Sequence, residues 1–125
     1  MTDIHARENR VWGRIAVSRK GEIKSIEIDV RSAAGAYSQF PRTSVFEANQ
    51  VLNITGGPYK HKNYRAKTEV VYLNKVPTSQ YRAVGHPIGN SVGEALVDRA
   101  AEACGIDPLE MRRLNVMEDD QYPRI

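Results

Sequence analysis

The sequence predicts an α+β fold: an N-terminal β-hairpin, a short helix, a further β-strand, an ordered loop and two C-terminal helices. In the first third, two kinds of residue alternate on either side of a glycine-containing turn, which indicates paired strands. In the last third, apolar residues recur at helical spacing between residues that commonly begin and end helices. These two patterns place strands first and helices last.

The predicted hairpin covers residues 11–17 and 24–30. Side chains alternate along the first segment, and Ile26, Ile28 and Val30 share one face of the second. Gly21 lies in the turn, where its missing Cβ permits a positive φ. These features predict two antiparallel strands joined by a tight turn.

A run of small residues follows the hairpin at positions 32–37 and predicts a close approach of backbone or of a ligand. A short helix is predicted next, with Thr43 or Ser44 as its N-cap and Glu47 completing a capping box with Ser44. Residues 56–58, Gly-Gly-Pro, end this helix. Its predicted buried stripe consists of Val45, Ala48 and Leu52.

The second half contains a strand at about residues 66–73 and an aperiodic loop at 76–88 with two prolines. A capping box at residues 91–94 predicts the start of the next helix, and Gly105 predicts its end. A last helix is predicted to begin at Asp107, which is followed by proline. The acidic segment 118–123 is expected to be exposed.

Length and composition fit one ordinary globular domain over residues 1–125. Hydrophobic residues make up 41% of the chain and charged residues 26%, which excludes a disordered, collagen-like or coiled-coil chain. No apolar run approaches the ~20 residues that a membrane-spanning helix needs. We therefore expect a single domain without membrane contact.

Charge and cysteine content argue against several other classes of protein. The net charge is +3 and no dense basic stripe carries it, so a nucleic-acid partner is disfavoured. Cys104 is the single cysteine of the sequence and cannot form an internal disulfide. The first residues do not have the charge and hydropathy pattern of a signal peptide. A cytoplasmic location is the expectation.

Motifs of a self-sufficient active site are missing from the sequence. It has no P-loop, no dinucleotide-binding glycine motif, no His-Glu-x-x-His motif and no nucleophile elbow. His5, His61 and His86 are scattered and lack metal-ligand spacing. No catalytic residue and no metal ligand is therefore predicted.

A basic segment with interleaved aromatic residues extends from Tyr59 to Arg65. Aromatic rings can stack on bases while cations bind phosphates, so a nucleic-acid strip is one interpretation. The other, which we favour, is a solvated connection between a helix and a strand. The strip defines the alternative function for this chain, a non-catalytic module that binds nucleic acid or another acidic partner.

The loop of residues 77–87 places Arg82 among small residues between two prolines. A guanidinium beside exposed backbone N–H groups can bind an anion such as a phosphate or an oxo ligand. An ion pair between Arg82 and a helix carboxylate such as Glu94 is equally compatible with the spacing. Both interpretations remain open at this point.

The same loop resembles a known family. The segment Tyr81-Arg82-Ala83-Val84-Gly85-His86-Pro87 resembles the Tyr/Phe-Arg-Gly-x-Gly-x-Pro loop of the xanthine dehydrogenase and aldehyde oxidase family of molybdenum hydroxylases. In that family the loop belongs to the large, molybdenum-binding subunit. The resemblance continues in one register over residues 21–30, 35–37, 57–59, 63–65, 71–77 and 95–115.

This resemblance implies a molybdenum-dependent hydroxylase or dehydrogenase that oxidises aldehydes or nitrogen heterocycles with molybdopterin. It implies that Arg82 contacts the cofactor and that Ala83 offers its backbone N–H near the metal. Val84 would wall the substrate pocket, and Gln50 falls where purine-oxidising members carry a substrate-binding arginine. The 2Fe-2S clusters and FAD of such enzymes are expected on partner domains or subunits.

Three of these positions depart from the family pattern. Val84 lacks the aromatic ring that stacks flat substrates, and Gln50 lacks the charge that would stabilise a developing oxyanion on a purine. A small aldehyde or a heterocycle other than xanthine is therefore the expected substrate. Ala83 replaces a glycine, and its methyl group would crowd a close backbone approach.

Large subunits of this family are several times longer than this chain. Their Gly-Gly-Gly-Phe-Gly segment and their Gly-x-Gly-Glu segment with the catalytic glutamate have no counterpart in residues 1–125. We expect an excised segment or a small subunit of a split enzyme, which binds no cofactor alone and requires the remaining molybdenum-binding, iron–sulfur and flavin domains or subunits. Uncovered apolar faces are expected to favour a homo-oligomer of the isolated chain, through strand edges or the helix face of Val92.

Overall fold

A three-stranded sheet with helices forms the fold. The computed structural model describes residues 5–41 and 43–121. The elements are β1 (Asn9–Val17), β2 (Ile23–Gly35), α1 (Val45–Ile54), β3 (Asn63–Tyr72), α2 (His86–Cys104), α3 (Pro108–Asn115) and a 3-10 turn (Asp119–Gln121). This order confirms the predicted α+β class. The strand order is β1-β2-β3, with β1 antiparallel and β3 parallel to β2.

The hairpin of β1 and β2 forms as predicted, with Gly21 at a φ of +86° in its turn. Strand β2 is longer than predicted, because the small-residue run continues the strand to Gly35 instead of following it. Gly35 has a φ of +74°, and a Cβ there would lie 2.4 Å from the carbonyl oxygen of Val76. The close approach that the small residues predicted is therefore made by the chain's own backbone.

The core lies between the sheet and the helices. Ile28 of the central strand is fully buried, together with Val51 of α1, Val97 of α2 and Met111 of α3. A Cβ at Gly13 of β1 would lie 2.9 Å from Leu96 Cδ1, so α2 packs closely on this strand. Polar side chains of the three strands form ion pairs outside this core, namely Arg14 and Arg65 with Glu27, and Arg31 and Lys67 with Glu69.

Helix α1 differs from its prediction at its N-terminus. Ser44 precedes the helix, but its side chain makes no cap hydrogen bond and donates instead to the carbonyl oxygen of Thr78, at 2.8 Å. Glu47 is buried and contacts a distant arginine, so the predicted capping box is wrong. Of the predicted stripe, Ala48 is buried and Leu52 packs on the core, whereas Val45 is 39% exposed.

Helix α2 begins at His86, five residues before the predicted capping box. Gly85 adopts a left-handed φ of +77° before the helix, and Pro87 in the first turn has a φ that suits a helix. Ser91 lies inside the helix and donates to the carbonyl oxygen of Pro87, at 2.6 Å. The predicted end at Gly105 is confirmed by its φ of +66°.

Helix α3 has the predicted N-cap and is attached to the hairpin. The carboxylate of Asp107 accepts hydrogen bonds from two backbone N–H groups of the first turn. At the other end, buried Asn115 accepts from the N–H of Ile23 and donates to the carbonyl oxygens of Gly21 and Met111, each at 2.8 Å. One side chain therefore satisfies three backbone groups and joins α3 to the β1–β2 turn.

A polar cluster joins α2, α3 and the segment before β3. The hydroxyl of buried Tyr59 donates to Glu94, at 2.8 Å, and Arg112 lies 2.7 Å from both Glu94 and Asp98. Burial, followed by the hydrogen bond to Glu94 and the charge of Glu94, raises the pKa of Tyr59 to about 12.

Several large apolar side chains remain exposed. Val92 is not among them, because it packs against the core, so the helix face that was expected to be uncovered is covered. Association through strand edges remains a prediction. Within residues 5–41 and 43–121, no helix is both long and apolar enough to cross a bilayer. Among the large apolar side chains of the described residues, Phe40 is 95% exposed, Tyr72 66% and Tyr81 62%.

We expect Asn115→Ala to lower the free energy of unfolding by about 3 kcal/mol, because it leaves the N–H of Ile23 and the carbonyl oxygen of Gly21 without this side-chain partner. Urea denaturation measures this change. Asn53→Ala, in the exposed part of α1, is the matched control and should change stability by less than about 0.5 kcal/mol. Equal effects of the two substitutions would contradict this role of Asn115.

We expect Tyr59 to ionise near pH 12, and Glu94→Gln to lower its pKa towards the ordinary value of about 10. Between about pH 10 and 12 the unfolded chain loses this proton while the folded chain retains it, so stability should fall with rising pH in that window. Ultraviolet titration at alkaline pH measures the ionisation. Tyr59→Phe should remove the late-titrating phenol, and an unchanged titration in that variant would refute the assignment.

Candidate functional site

A tight turn precedes α2 and contains three of the four predicted site residues. We call residues 81–85 the Arg82 loop. The N–H of His86 donates to the carbonyl oxygen of Ala83, at 2.8 Å, and Ala83 has a left-handed φ of +62°. A Cβ at Gly85 would lie 2.5 Å from Gln50 Cβ. The fold thus brings Gln50 of α1 next to the loop that carries Arg82, Ala83 and Val84.

The side chain of Arg82 is exposed and has no acidic partner in the part of the chain that the structure describes. The carboxylates of Glu94 and Asp98 contact Arg112 instead, at 2.7 Å each. The ion pair between Arg82 and Glu94 that the spacing allowed is therefore not formed. The guanidinium of Arg82 remains available to a ligand.

Some backbone groups of the Arg82 loop are hydrogen-bonded within the protein and others are not. Among the described residues, no acceptor bonds the N–H groups of Arg82, Ala83 and Val84. In contrast, the N–H of Gly85 donates to Oε1 of Glu47, at 3.3 Å. The free donors are consecutive, which is the arrangement that binds anions in backbone nests.

Two backbone carbonyl groups of the Arg82 loop are hydrogen-bonded by Arg7. Its Nη2 donates to the carbonyl oxygens of Tyr81, at 3.4 Å, and of Arg82. Its Nε lies 3.1 Å from Oε1 of Glu47, but the N–H is not directed at this oxygen, so the contact is an ion pair without a hydrogen bond. Its guanidinium also lies 5.5 Å from the ring centre of Tyr81, within range of a cation–π interaction.

Sequence reasoning did not identify Arg7 or Glu47 as site residues. Arg7 lies in no motif, and its contacts are between 40 and 75 positions away. Glu47 was assigned to a capping box, although it stands beside Ala48 in the helix segment that covers the core. An acidic residue next to buried apolar positions was the available signal, because a buried carboxylate requires a partner.

Several residues of the basic and aromatic segment from Tyr59 to Arg65 contact other parts of the chain. Tyr59 is buried against Glu94, and the hydroxyl of Tyr64 donates to the carbonyl oxygen of Leu52. Lys60 lies 3.1 Å from Glu118, and Arg65 contacts Glu27. This arrangement favours the interpretation as a connection between a helix and a strand.

The three histidines remain apart, and no group of three or more His, Cys, Asp or Glu side chains within residues 5–41 and 43–121 could hold a metal ion. Cys104 is partly buried, with its Sγ 3.8 Å from the carbonyl oxygen of Ser18. The Arg82 loop, by contrast, offers hydrogen-bond donors, namely three backbone N–H groups and a guanidinium, beside the positive end of α2. This donor set fits an anionic group.

Comparison with known proteins agrees with this chemistry. The family model of the molybdopterin cofactor-binding domain matches residues 1–116. The 6-hydroxypseudooxynicotine dehydrogenase complex subunit gamma of Paenarthrobacter nicotinovorans is 29% identical over 119 residues, 95% of this chain and 15% of that protein. The xanthine dehydrogenase molybdenum-binding subunit of Escherichia coli O157:H7 is 32% identical over 113 residues, 89% of this chain and 14% of that protein.

Solved structures contain the same fold. Quinoline 2-oxidoreductase from Pseudomonas putida 86 superposes with a TM-score of 0.88 and 33% identity, over 96% of this chain and 15% of that one. Aldehyde oxidoreductase from Desulfovibrio gigas superposes with a TM-score of 0.78 and 28% identity, over 89% of this chain and 12% of that one. The chain thus spans 12–15% of the length of these relatives. It belongs to the molybdopterin cofactor-binding domain family of the xanthine dehydrogenase and aldehyde oxidoreductase enzymes.

Proposed function

We propose that this chain forms one part of the cofactor and substrate pocket of a molybdenum hydroxylase that oxidises an aldehyde or a nitrogen heterocycle. The observation that carries the proposal is the Arg82 loop, in which three consecutive N–H groups and an exposed guanidinium lack protein acceptors among the described residues. Donors in this arrangement bind the oxygen atoms of anionic groups.

In this proposal Arg82 and Ala83 bind molybdopterin. The planar guanidinium of Arg82 can donate two parallel hydrogen bonds to an anionic group, and the N–H of Ala83 donates a further one. When bound, the cofactor supplies the redox chemistry. The described residues provide no metal-binding cluster of their own, so their role is to hold and orient the cofactor.

Val84 and Gln50 are proposed to face the substrate. Val84 is partly buried beside the donors, and Gln50 approaches the loop at Gly85. A valine and an uncharged amide offer neither an aromatic stacking partner nor a cation, which favours a small aldehyde or a heterocycle other than xanthine. Of these two substrate classes, the heterocycle is supported by relatives whose names refer to nicotine 6-hydroxylation and quinoline oxidation.

The proposed enzyme needs more than this chain. Several relatives are named as subunits or large chains, and this chain covers 15% or less of the three. We propose residues 1–125 as one domain of the molybdenum-binding part. Further molybdopterin contacts, 2Fe-2S clusters and FAD would lie on the remaining domains or on partner subunits.

The purified chain alone should contain no stoichiometric molybdenum and should oxidise no substrate, because a single loop supplies only part of the cofactor's contacts. Metal analysis by mass spectrometry and a dye-reduction screen with aldehydes and purines test this expectation. The positive control is the same chain co-expressed with its flanking coding sequence. Turnover by the lone chain would overturn the proposal that it is one part of a larger enzyme.

In the complete enzyme, Arg82→Ala should lower cofactor occupancy or turnover by about tenfold to a hundredfold, since hydrogen bonds to charged groups contribute about 1.5–3 kcal/mol. The stability of this domain should change by less than about 0.5 kcal/mol, because Arg82 is exposed. Molybdenum content and steady-state kinetics measure the first effect, and thermal unfolding the second.

Two further variants sharpen this experiment. Arg82→Lys should restore only part of the occupancy, because an ammonium group cannot reproduce the two-pronged guanidinium contact. Arg19→Ala, an exposed arginine in the β1–β2 turn, removes the same charge away from the loop and should behave like the wild type. A destabilised Arg82→Ala domain with full activity would make Arg82 a structural residue and refute its proposed role.

A further inference from the structure

We propose that Arg7 and Glu47 are positioning residues that hold the Arg82 loop with its carbonyl groups turned inward and its N–H groups turned outward. This proposal rests on the proposed function in one respect, namely the kind of ligand that the loop binds. The conformation of the loop is argued from contacts alone. Neither residue is proposed to touch cofactor or substrate.

The position of Arg7 is well defined by its contacts. The backbone of Arg7 is in the left-handed region, with a φ of 51°. The segment that contains Arg7 lies beside the segment around Pro77, whose carbonyl oxygen accepts the N–H of His5. The side chain of Arg7 is only 23% exposed. From there it reaches Glu47 of α1 and two carbonyl oxygens of the Arg82 loop.

These contacts orient two peptide groups. In a trans peptide the C=O and N–H bonds point in opposite directions. The carbonyl of Tyr81 shares its peptide with the N–H of Arg82, and the carbonyl of Arg82 shares its peptide with the N–H of Ala83. Because Arg7 bonds both carbonyl oxygens on the inner side, both N–H groups face away from Arg7. These are two of the three N–H groups without an acceptor.

Glu47 anchors the opposite end of the loop. Its carboxylate is buried, with 8% of the side chain exposed, and it accepts the N–H of Gly85 while the charge of Arg7 lies 3.1 Å away. A buried carboxylate without a cation would be strongly unfavourable, so the two charges require each other. The pair therefore holds the first two residues and the last residue of the loop at once.

The need for this support is greatest at Ala83. A left-handed φ is unfavourable for a residue with a Cβ, and Ala83 has a φ of +62° where glycine would adopt it freely. Surrounding contacts must hold such a residue in place. The bonded carbonyl of Arg82 and the bonded N–H of Gly85 flank Ala83 on both sides.

The test uses the full, ¹⁵N-labelled chain and the variant Arg7→Lys. Lysine keeps a positive charge near Glu47, so the fold should survive, but its single nitrogen cannot occupy the positions of both Nε, which contacts Glu47, and Nη2, which bonds the two carbonyl oxygens. We expect amide hydrogen exchange at Gly85 to become about tenfold faster, with shifted resonances of Arg82 and Ala83. The urea midpoint and exchange in β2 should remain as in the wild type.

Arg31→Lys is the matched control. Arg31 also pairs with a glutamate, Glu69 at 3.1 Å, and also lies near an aromatic ring, Trp12 at 6.0 Å, but it is on the sheet and outside the loop. This variant should leave Gly85 unchanged. Unchanged Gly85 exchange and loop resonances in Arg7→Lys would overturn the proposal, as would a uniform acceleration of exchange throughout the chain, which indicates general destabilisation.

A second arm separates this inference from the proposed function. Titration with inorganic phosphate should shift the N–H resonances of residues 82–84 in the wild type, at least fivefold more weakly in Arg7→Lys, and not at all at these residues in Arg82→Ala. In Arg82→Ala the exchange at Gly85 should stay slow. If phosphate leaves the wild-type loop unchanged, the anion-binding function fails, while Gly85 exchange still decides the role of Arg7.

Discussion

The parallel pairing of β2 with β3 is the constraint on which the rest of the structure depends. Parallel neighbouring strands cannot be joined by a tight turn. The connection from β2 to β3 therefore runs from one end of the sheet back to the other, and it contains α1. Both strands end at the same edge, where Gly35 pairs with Tyr72. The chain then passes over Gly35 and reaches α1 again at Thr78 and Ser44. This crossing places the Arg82 loop beside Glu47 and Gln50.

Polar side chains have two different tasks in this fold. Asn115 and the cluster of Tyr59, Glu94 and Arg112 use their hydrogen bonds within the protein and join α3 to the sheet and to α2. The Arg82 loop instead leaves donors unused at the N-terminus of α2. Unused donors reduce stability only where water cannot reach them, and the loop is exposed at Arg82 and Ala83. An exposed loop can therefore keep its donors for a ligand.

Family membership and the chemistry of the Arg82 loop are compatible with each other. The relatives are far longer, yet the segment that they share with this chain has its own buried core and closes around β2. Its exposed donors suit an anionic cofactor, and its described residues offer no cluster of metal ligands. A protein that binds a metal through an organic cofactor needs donors for that cofactor and does not need its own cluster of metal ligands. In the proposed function the domain supplies position and polarity, and the cofactor would supply the redox chemistry.

By itself the sequence determined the elements whose signals lie within a few residues of each other, namely the hairpin around Gly21, the helix end at Gly105 and the N-cap Asp107. The motif around Arg82 also determined the family. Only the tertiary structure decided the contacts of Ser44, Glu47 and Arg7, which include partners 34 to 75 positions away. A serine or glutamate near a helix start can cap that helix or bond a distant backbone group, and local sequence does not distinguish the two. The crossing of α1 brings the distant groups close, and buried polar atoms then bond the partners that the fold presents to them.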